Sequence, residues 1–145
     1  MAKTRVFLDS SVIITALLST RGGSFYILSS LQNEFEFQTN EYGLREIQRT
    51  LTNKFSHQPV LSNQLFLLLG TAGVRTLPNP SKRERSHCAR YISANDAPIL
   101  ASAFKYSDIL LTLDKEFFNL RVASAAREVS VKILTPKEFI ELFRN

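Results

Sequence analysis

Short apolar runs alternate with longer amphipathic stretches along this chain. Arg5-Val6-Phe7-Leu8 is a brief β-prone run that suits a buried parallel strand. Ser10 or Ser11 stands where it can cap a helix over Val12–Leu18. Gly22-Gly23 breaks the pattern before a second helical segment, Ser24–Leu31, apolar at Phe25, Ile27, Leu28 and Leu31. Phe35–Thr39 alternates as a strand does, and Asn40 is placed to cap a helix with Tyr42, Leu44, Ile47 and Leu51 at helical spacing. Val60–Ala72 reads as a further helix closed by Gly73, and Val74–Leu77 as a strand ahead of Pro78-Asn79-Pro80.

Ser81 and Glu84 have capping-box spacing, which predicts a helix running to about Ile92. Asn95 opens the next helix, with Pro98 tolerated in its first turn. Ile109–Thr112 reads as a buried strand and Val131–Leu134 as the last one. Thr135-Pro136-Lys137-Glu138 joins an N-cap, a proline at the first helical position and a glutamate at the third, so a final helix starts there. Alternating strands and helices predict an α/β fold of three layers with a central, mainly parallel sheet. The only linker-like stretch, residues 78–81, is too short to separate domains, so residues 1–145 read as a single one. Phe25, Phe66, Phe104, Phe117 and Phe139 fall in apolar patterns and are expected in the core.

Charge changes the picture in two ways. Eighteen Lys and Arg against thirteen Asp and Glu leave +5, which suits a polyanionic partner. Cys88 is the only cysteine, which excludes an intrachain disulfide and a zinc cage of cysteines. The longest nearly apolar stretch is too short to span a bilayer, and Asp9 interrupts the apolar run where a secretory signal would need continuity. The expectation is a cytoplasmic protein with no membrane contact.

Aspartate is scarce: Asp9, Asp96, Asp108 and Asp114 are all there are. Ligands of open α/β sheets bind at the carboxyl ends of the strands. Asp9 follows the first strand directly, Asp114 lies two residues past the Ile109–Thr112 strand, and Asp96 sits at a helix start on that same side. Each alone could be a helix cap or a dipole partner. Three at one edge repel one another and call for a cation. Oxygen donors without histidine or cysteine suit Mg²⁺ or Mn²⁺, which polarise phosphates and activate water. A basic protein with such a site reads as a metal-dependent phosphodiester hydrolase.

The same residues carry a resemblance. Val6-Phe7-Leu8-Asp9-Ser10-Ser11-Val12-Ile13-Ile14 resembles the opening strand and helix of PIN-domain ribonucleases. Glu41–Leu51, with Glu46 inside the helix, resembles the family's second acidic motif. Asn95-Asp96-Ala97-Pro98-Ile99 and Ile109-Leu110-Leu111-Thr112-Leu113-Asp114 resemble the third and fourth. Four motifs in order, with an ending like that of a branch of toxin components, cover nearly the whole chain. Ser11 and Asn95 depart from the pattern, since relatives often carry Asp or Asn at the first position and an acidic residue at the second.

The resemblance implies a PIN-like fold in which Asp9, Glu46, Asp96 and Asp114 hold one or two Mg²⁺ or Mn²⁺ ions and hydrolyse RNA. It implies that Ser10 and Thr112 orient carboxylates or phosphate, and that the protein is a homodimer with an antitoxin partner. Lys82, Arg83 and Arg85, in the densest basic run, are candidate RNA contacts, as well as candidates for a plain solvated helix face. Asp108 reads as a turn residue, Glu41 and Glu116 as first-turn helix residues, Cys88 as buried and His57 as exposed. Phosphatase chemistry of the haloacid-dehalogenase type wants an aspartate at position 11, where serine stands. The remaining alternative is a non-catalytic PIN-like module that binds RNA or protein.

Overall fold

The computed structural model describes residues 2–143. Five strands form one parallel sheet: β1 (Thr4–Leu8), β2 (Phe35–Thr39), β3 (Arg75–Thr76), β4 (Ile109–Leu111) and β5 (Lys132–Leu134). Their spatial order is β3-β2-β1-β4-β5. The chain builds outward from β1 through β2 to β3, then returns to the other side of β1 for β4 and β5. The order therefore reverses between β1 and β4, and the crevice beyond their carboxyl ends is where an open α/β sheet receives its ligand.

Eight α-helices among the described residues complete the three-layer α/β/α fold: α1 (Ser10–Leu18), α2 (Gly23–Ser30), α3 (Glu41–Lys54), α4 (Val60–Ala72), α5 (Lys82–Cys88), α6 (Ala97–Tyr106), α7 (Leu120–Glu128) and α8 (Pro136–Phe143). The two-residue period of the strands divides the core. Val6, Leu8, Ile109 and Leu111 pack on one face with α1–α4 and Phe139 of α8. Phe7 and Leu110 point to the other face, against Cys88 of α5, Leu100 of α6 and Val122 of α7.

Several local expectations are corrected. Asp9, not a serine, occupies the N-cap of α1, and helix geometry begins at Ser10. The helix expected from Ser81 to Ile92 stops at Cys88, where three-residue turns take over, with Tyr91 N–H reaching Cys88 O at 2.9 Å. The next helix opens at Ala97 rather than Asn95. β3 shrinks to two residues because it is the sheet's edge and pairs with β2 alone. Helix α7 follows a 3₁₀ turn at Lys115–Phe118 and has no counterpart among the elements the sequence pattern predicts. Phe66 is 65 % exposed: Leu61, Leu65 and Ala72 form the buried stripe of α4, and position 66 lies off it.

The capping expectations hold at three starts. Ser81 and Glu84 form a reciprocal capping box, as do Thr135 and Glu138, at 2.8–3.1 Å. Asn40 caps α3 by accepting from Gly43 N–H at 3.0 Å. Fully buried Asn40 does more: its Nδ2 donates to Ser102 Oγ at 2.7 Å and to Pro98 O at 3.2 Å. One side chain thereby ties the start of α3 to the first turns of α6. The close approach needs Gly43, since a Cβ there would come within 2.8 Å of Thr39 Oγ1.

Candidate active site

The register pairs Leu8 of β1 with Leu111 of β4, so Asp9 and Thr112 emerge side by side at the carboxyl edge. Asp9 N–H donates to Leu111 O at 2.9 Å, extending the ladder by one bond. Asp9 is 3 % exposed, and its carboxylate makes no capping bond to α1. It accepts instead from Ser11 Oγ at 2.7 Å and Thr112 Oγ1 at 2.8 Å, both on Oδ2, while Oδ1 accepts none among the described residues. The two hydroxyls reach onward: Ser11 Oγ accepts from Leu113 N–H at 3.1 Å and Thr112 Oγ1 from Asp114 N–H at 3.0 Å. Asp9 is thus bolted to the loop that carries Asp114. The hydroxyl expected from Ser10 is supplied by Ser11, because Ser10 is turned into the buried side of α1 and makes no side-chain bond to Asp9.

The other acids arrive from separate segments. Asp114 stands at the N-cap of the 3₁₀ turn, where its Oδ1 accepts from Glu116 N–H at 3.0 Å. Asp96 occupies the N-cap of α6 without capping it, and its Oδ2 accepts from Ser93 Oγ at 3.1 Å. Glu46 is half-buried on the second turn of α3 and has no hydrogen-bond partner among the described residues.

Asp9 and Asp96 sense the charge of neighbouring acids. Burial pushes the Asp9 carboxyl above its ordinary range; Ser11 and Thr112 counter that, and repulsion from Glu46 and Asp114 adds to it. Burial likewise raises Asp96, with the Ser93 bond opposing and Asp114, Asp9 and Glu116 reinforcing. No cation among the described residues relieves them. The ion pairs of those residues are Arg5–Asp108, Arg45–Glu41, Arg75–Glu36 and Lys105–Glu84, and none touches the four. No three His, Cys, Asp or Glu side chains of the described residues stand close enough to enclose a metal ion as they are placed. The donor set nonetheless fits a hard divalent cation: oxygen only, partly desolvated, mutually repelling and unpaired.

An open cleft of about 1070 Å³ adjoins the site, bounded by α3 on one side and residues 93–98 on the other. Glu46 and Asp96 line it, together with Tyr42, Arg45, Gln48 and Arg49, whereas Asp9 and Asp114 do not. The basic run that read either as an RNA contact or as a solvated helix face lies outside this cleft lining. Lys82 and Arg83 are exposed on α5 outside the cleft lining. Arg85 is committed to the fold, donating to Pro80 O at 2.8 Å with its guanidinium 5.8 Å from the Tyr42 ring centre. Sequence reading missed Arg45 and Arg49, one turn apart on α3; their i, i+4 spacing was the available signal. Asp108 lies in the bend before β4, Cys88 is buried and His57 is exposed, as expected; Asp108 also pairs with Arg5, which the sequence reading did not foresee.

Comparison with known proteins agrees with the fold. Residues 6–123 match the family model for the PIN domain. No curated protein is a detectable sequence match. The fold is similar to the crystal structure of PAE2754 from Pyrobaculum aerophilum, with a TM-score of 0.61 and 15 % identity, covering 89 % of this chain and 98 % of that one. It is also similar to the crystal structure of FitAcB from Neisseria gonorrhoeae, with a TM-score of 0.57 and 19 % identity, covering 91 % and 98 %.

Proposed function

The chain belongs to the PIN-domain family, whose members are generally nucleases, and from that premise we propose that it is a Mg²⁺- or Mn²⁺-dependent endoribonuclease. One observation carries the proposal: Asp9 is buried at the reversal point of the sheet within reach of the charges of Glu46 and Asp114, Asp96 feels Asp9 and Asp114, and no lysine or arginine of the described residues is paired to any of the four. A carboxylate cluster that serves only the fold would be neutralised by bases or dispersed.

In this proposal Asp9, Glu46, Asp96 and Asp114 would hold the metal. A bound divalent ion there supplies Lewis-acid polarisation of the phosphodiester and a water of lowered pKa. The chain's own parts divide the remaining work. Asp9 is the fixed member, since Ser11 and Thr112 clamp one of its oxygens and leave the other for a ligand. Glu46 has no competing partner among the described residues and would complete the metal's shell and help orient the attacking water. Asp96 and Asp114 each engage one oxygen locally and offer the second to the site.

A toxin role in the cytoplasm, an antitoxin partner and a homodimer belong to the same proposal and rest on the family resemblance. Light scattering at micromolar concentration tests the dimer; a monomeric mass counts against it. The competing function is a non-catalytic RNA- or protein-binding module, which the open arrangement of the carboxylates favours. Incubation of the pure protein with RNA and Mn²⁺, with and without chelator, separates the two. Chelator-sensitive internal cleavage that Asp96→Asn abolishes supports the nuclease; intact RNA throughout supports the binding module.

A further inference from the structure

Glu46 shares α3 with two cations that do not neutralise it. Arg49 lies three residues on, at a spacing where a Glu–Arg pair forms readily on a helix, yet it makes no ion pair or hydrogen bond with another described residue. Arg45 turns the other way, to Glu41 at 3.2 Å, in a pair whose side chains are more than half exposed and therefore easily exchanged for another anion. Both arginines line the cleft, and the opposite wall, from Ser93 to Pro98, contributes no base. The α3 wall thus alternates Glu41, Arg45, Glu46 and Arg49, and its two arginines flank Glu46. Tyr42 cannot serve as a free stacking platform, because Arg45 and Arg85 stand 5.7 and 5.8 Å from its ring centre.

We infer that Arg45 and Arg49 form a phosphate rail that lays single-stranded RNA along α3, with its scissile phosphodiester at Glu46 and Asp96. This inference rests on the ribonuclease proposal and names how that site takes its substrate. The reasons are spatial and electrostatic. A strand approaching four carboxylates needs compensating charge beside them, and among the described residues the rail is the only basic feature in the cleft lining. Successive arginines one helical turn apart present guanidiniums at a fixed step along the groove, suited to adjacent backbone phosphates and without base readout. The cleft's volume is that of a pocket for a few nucleotides, not of a groove that encloses a duplex. The basic run on α5 is outside it.

Fluorescence anisotropy with a labelled oligouridine strand, in chelator so that nothing is cleaved, reads the rail separately from catalysis. The Arg45→Gln/Arg49→Gln protein should bind more weakly, and its slope of log affinity against log salt should fall by about 0.7 for each arginine removed. Arg49→Gln alone, at an exposed residue with no partner among the described residues, guards against loss of fold and should show half that change. Lys82→Gln/Arg83→Gln should leave the slope unaltered. An unchanged slope in the α3 variants, a loss confined to the α5 variant, or tighter binding of duplex than of single strand would overturn the inference. Normal RNA binding with no cleavage in Mn²⁺ would instead sink the nuclease proposal and leave the rail standing.

Discussion

Asn40 offers a quantitative test of how the site is held. It is fully buried and makes three bonds: a cap to Gly43 N–H and two donor bonds to Ser102 Oγ and Pro98 O across 62 and 58 residues of sequence. Removing the cap costs about 1 kcal/mol. Each buried donor bond lost costs about 1 kcal/mol more. Asn40→Ala should therefore lose about 3 kcal/mol, or roughly 10 °C of melting temperature for a chain of this size. Asn40→Ser separates the two contributions, because a serine still caps α3 but is too short to span to α6; it should lose about 2 kcal/mol, both values read by urea unfolding. Because the strut links the helix bearing Glu46 to the helix bearing Asp96, both variants should also weaken Mn²⁺ binding. A serine variant as stable as wild type would show that Asn40 is only a cap, and that α3 and α6 are positioned by packing alone.

Other expectations follow from single contacts. Gly43→Ala should fail to deliver the roughly 1 kcal/mol that alanine gains over glycine in a helix, because its Cβ would meet Thr39 Oγ1 at 2.8 Å; adding Thr39→Ala should restore the gain, and additive effects in the double-mutant cycle would refute the clash. Burial pushes the Cys88 thiol up to about 11. Its stabilising contribution is full below the ordinary thiol value of about 8.5 and is lost as pH rises toward 11, so thermal unfolding should weaken over that window in wild type and less in Cys88→Ala. Arg5 holds the Asp108 carboxyl below its ordinary range. That contribution is present above about pH 3.9 and disappears as pH falls through the lower native value, so Asp108→Asn should flatten the acid limb of the stability curve; because the pair is half exposed, the change should be under about 1 kcal/mol.

The sequence made the frame readable where one residue type had one local job. Strand alternation at Phe35–Thr39, the Val60–Ala72 helix and the capping boxes at Ser81 and Thr135 all follow from periodicity and short-range hydrogen bonds. Helix α7 escaped notice because its buried residues, Val122, Ala125 and Ala126, are small and give a weak apolar signal. Phe66 misled for the opposite reason: a large apolar residue one step off the buried stripe looks like core in one dimension. The carboxylates could be nominated because strand ends are legible, but their supports could not. Whether Ser10 or Ser11 reaches Asp9 depends on the rotation of α1 as it leaves β1. Whether Arg49 faces Glu46 or a cleft depends on what packs against α3. Such facts arise from pairings far apart in sequence, as with Thr112 and Asp9 at 2.8 Å.

The central claim, that the carboxylates at the β1–β4 crevice form a divalent-cation site, is tested most directly by the melting temperatures of wild type and Asp9→Asn in chelator and in Mn²⁺. The native Asp9 carboxyl is raised, so its stabilising contribution exists below the ordinary aspartate value and is lost as pH rises through the native one; above that window the buried carboxyl is a cost relative to a neutral side chain. An asparagine keeps an oxygen for Ser11 and Thr112, so in chelator Asp9→Asn should melt above wild type. In Mn²⁺ at about a hundred times the dissociation constant, wild type should gain about 2.7 kcal/mol and overtake the variant, whose melting temperature should scarcely move. Equal shifts in the two proteins, or none in wild type, would contradict the metal site and the nuclease built on it.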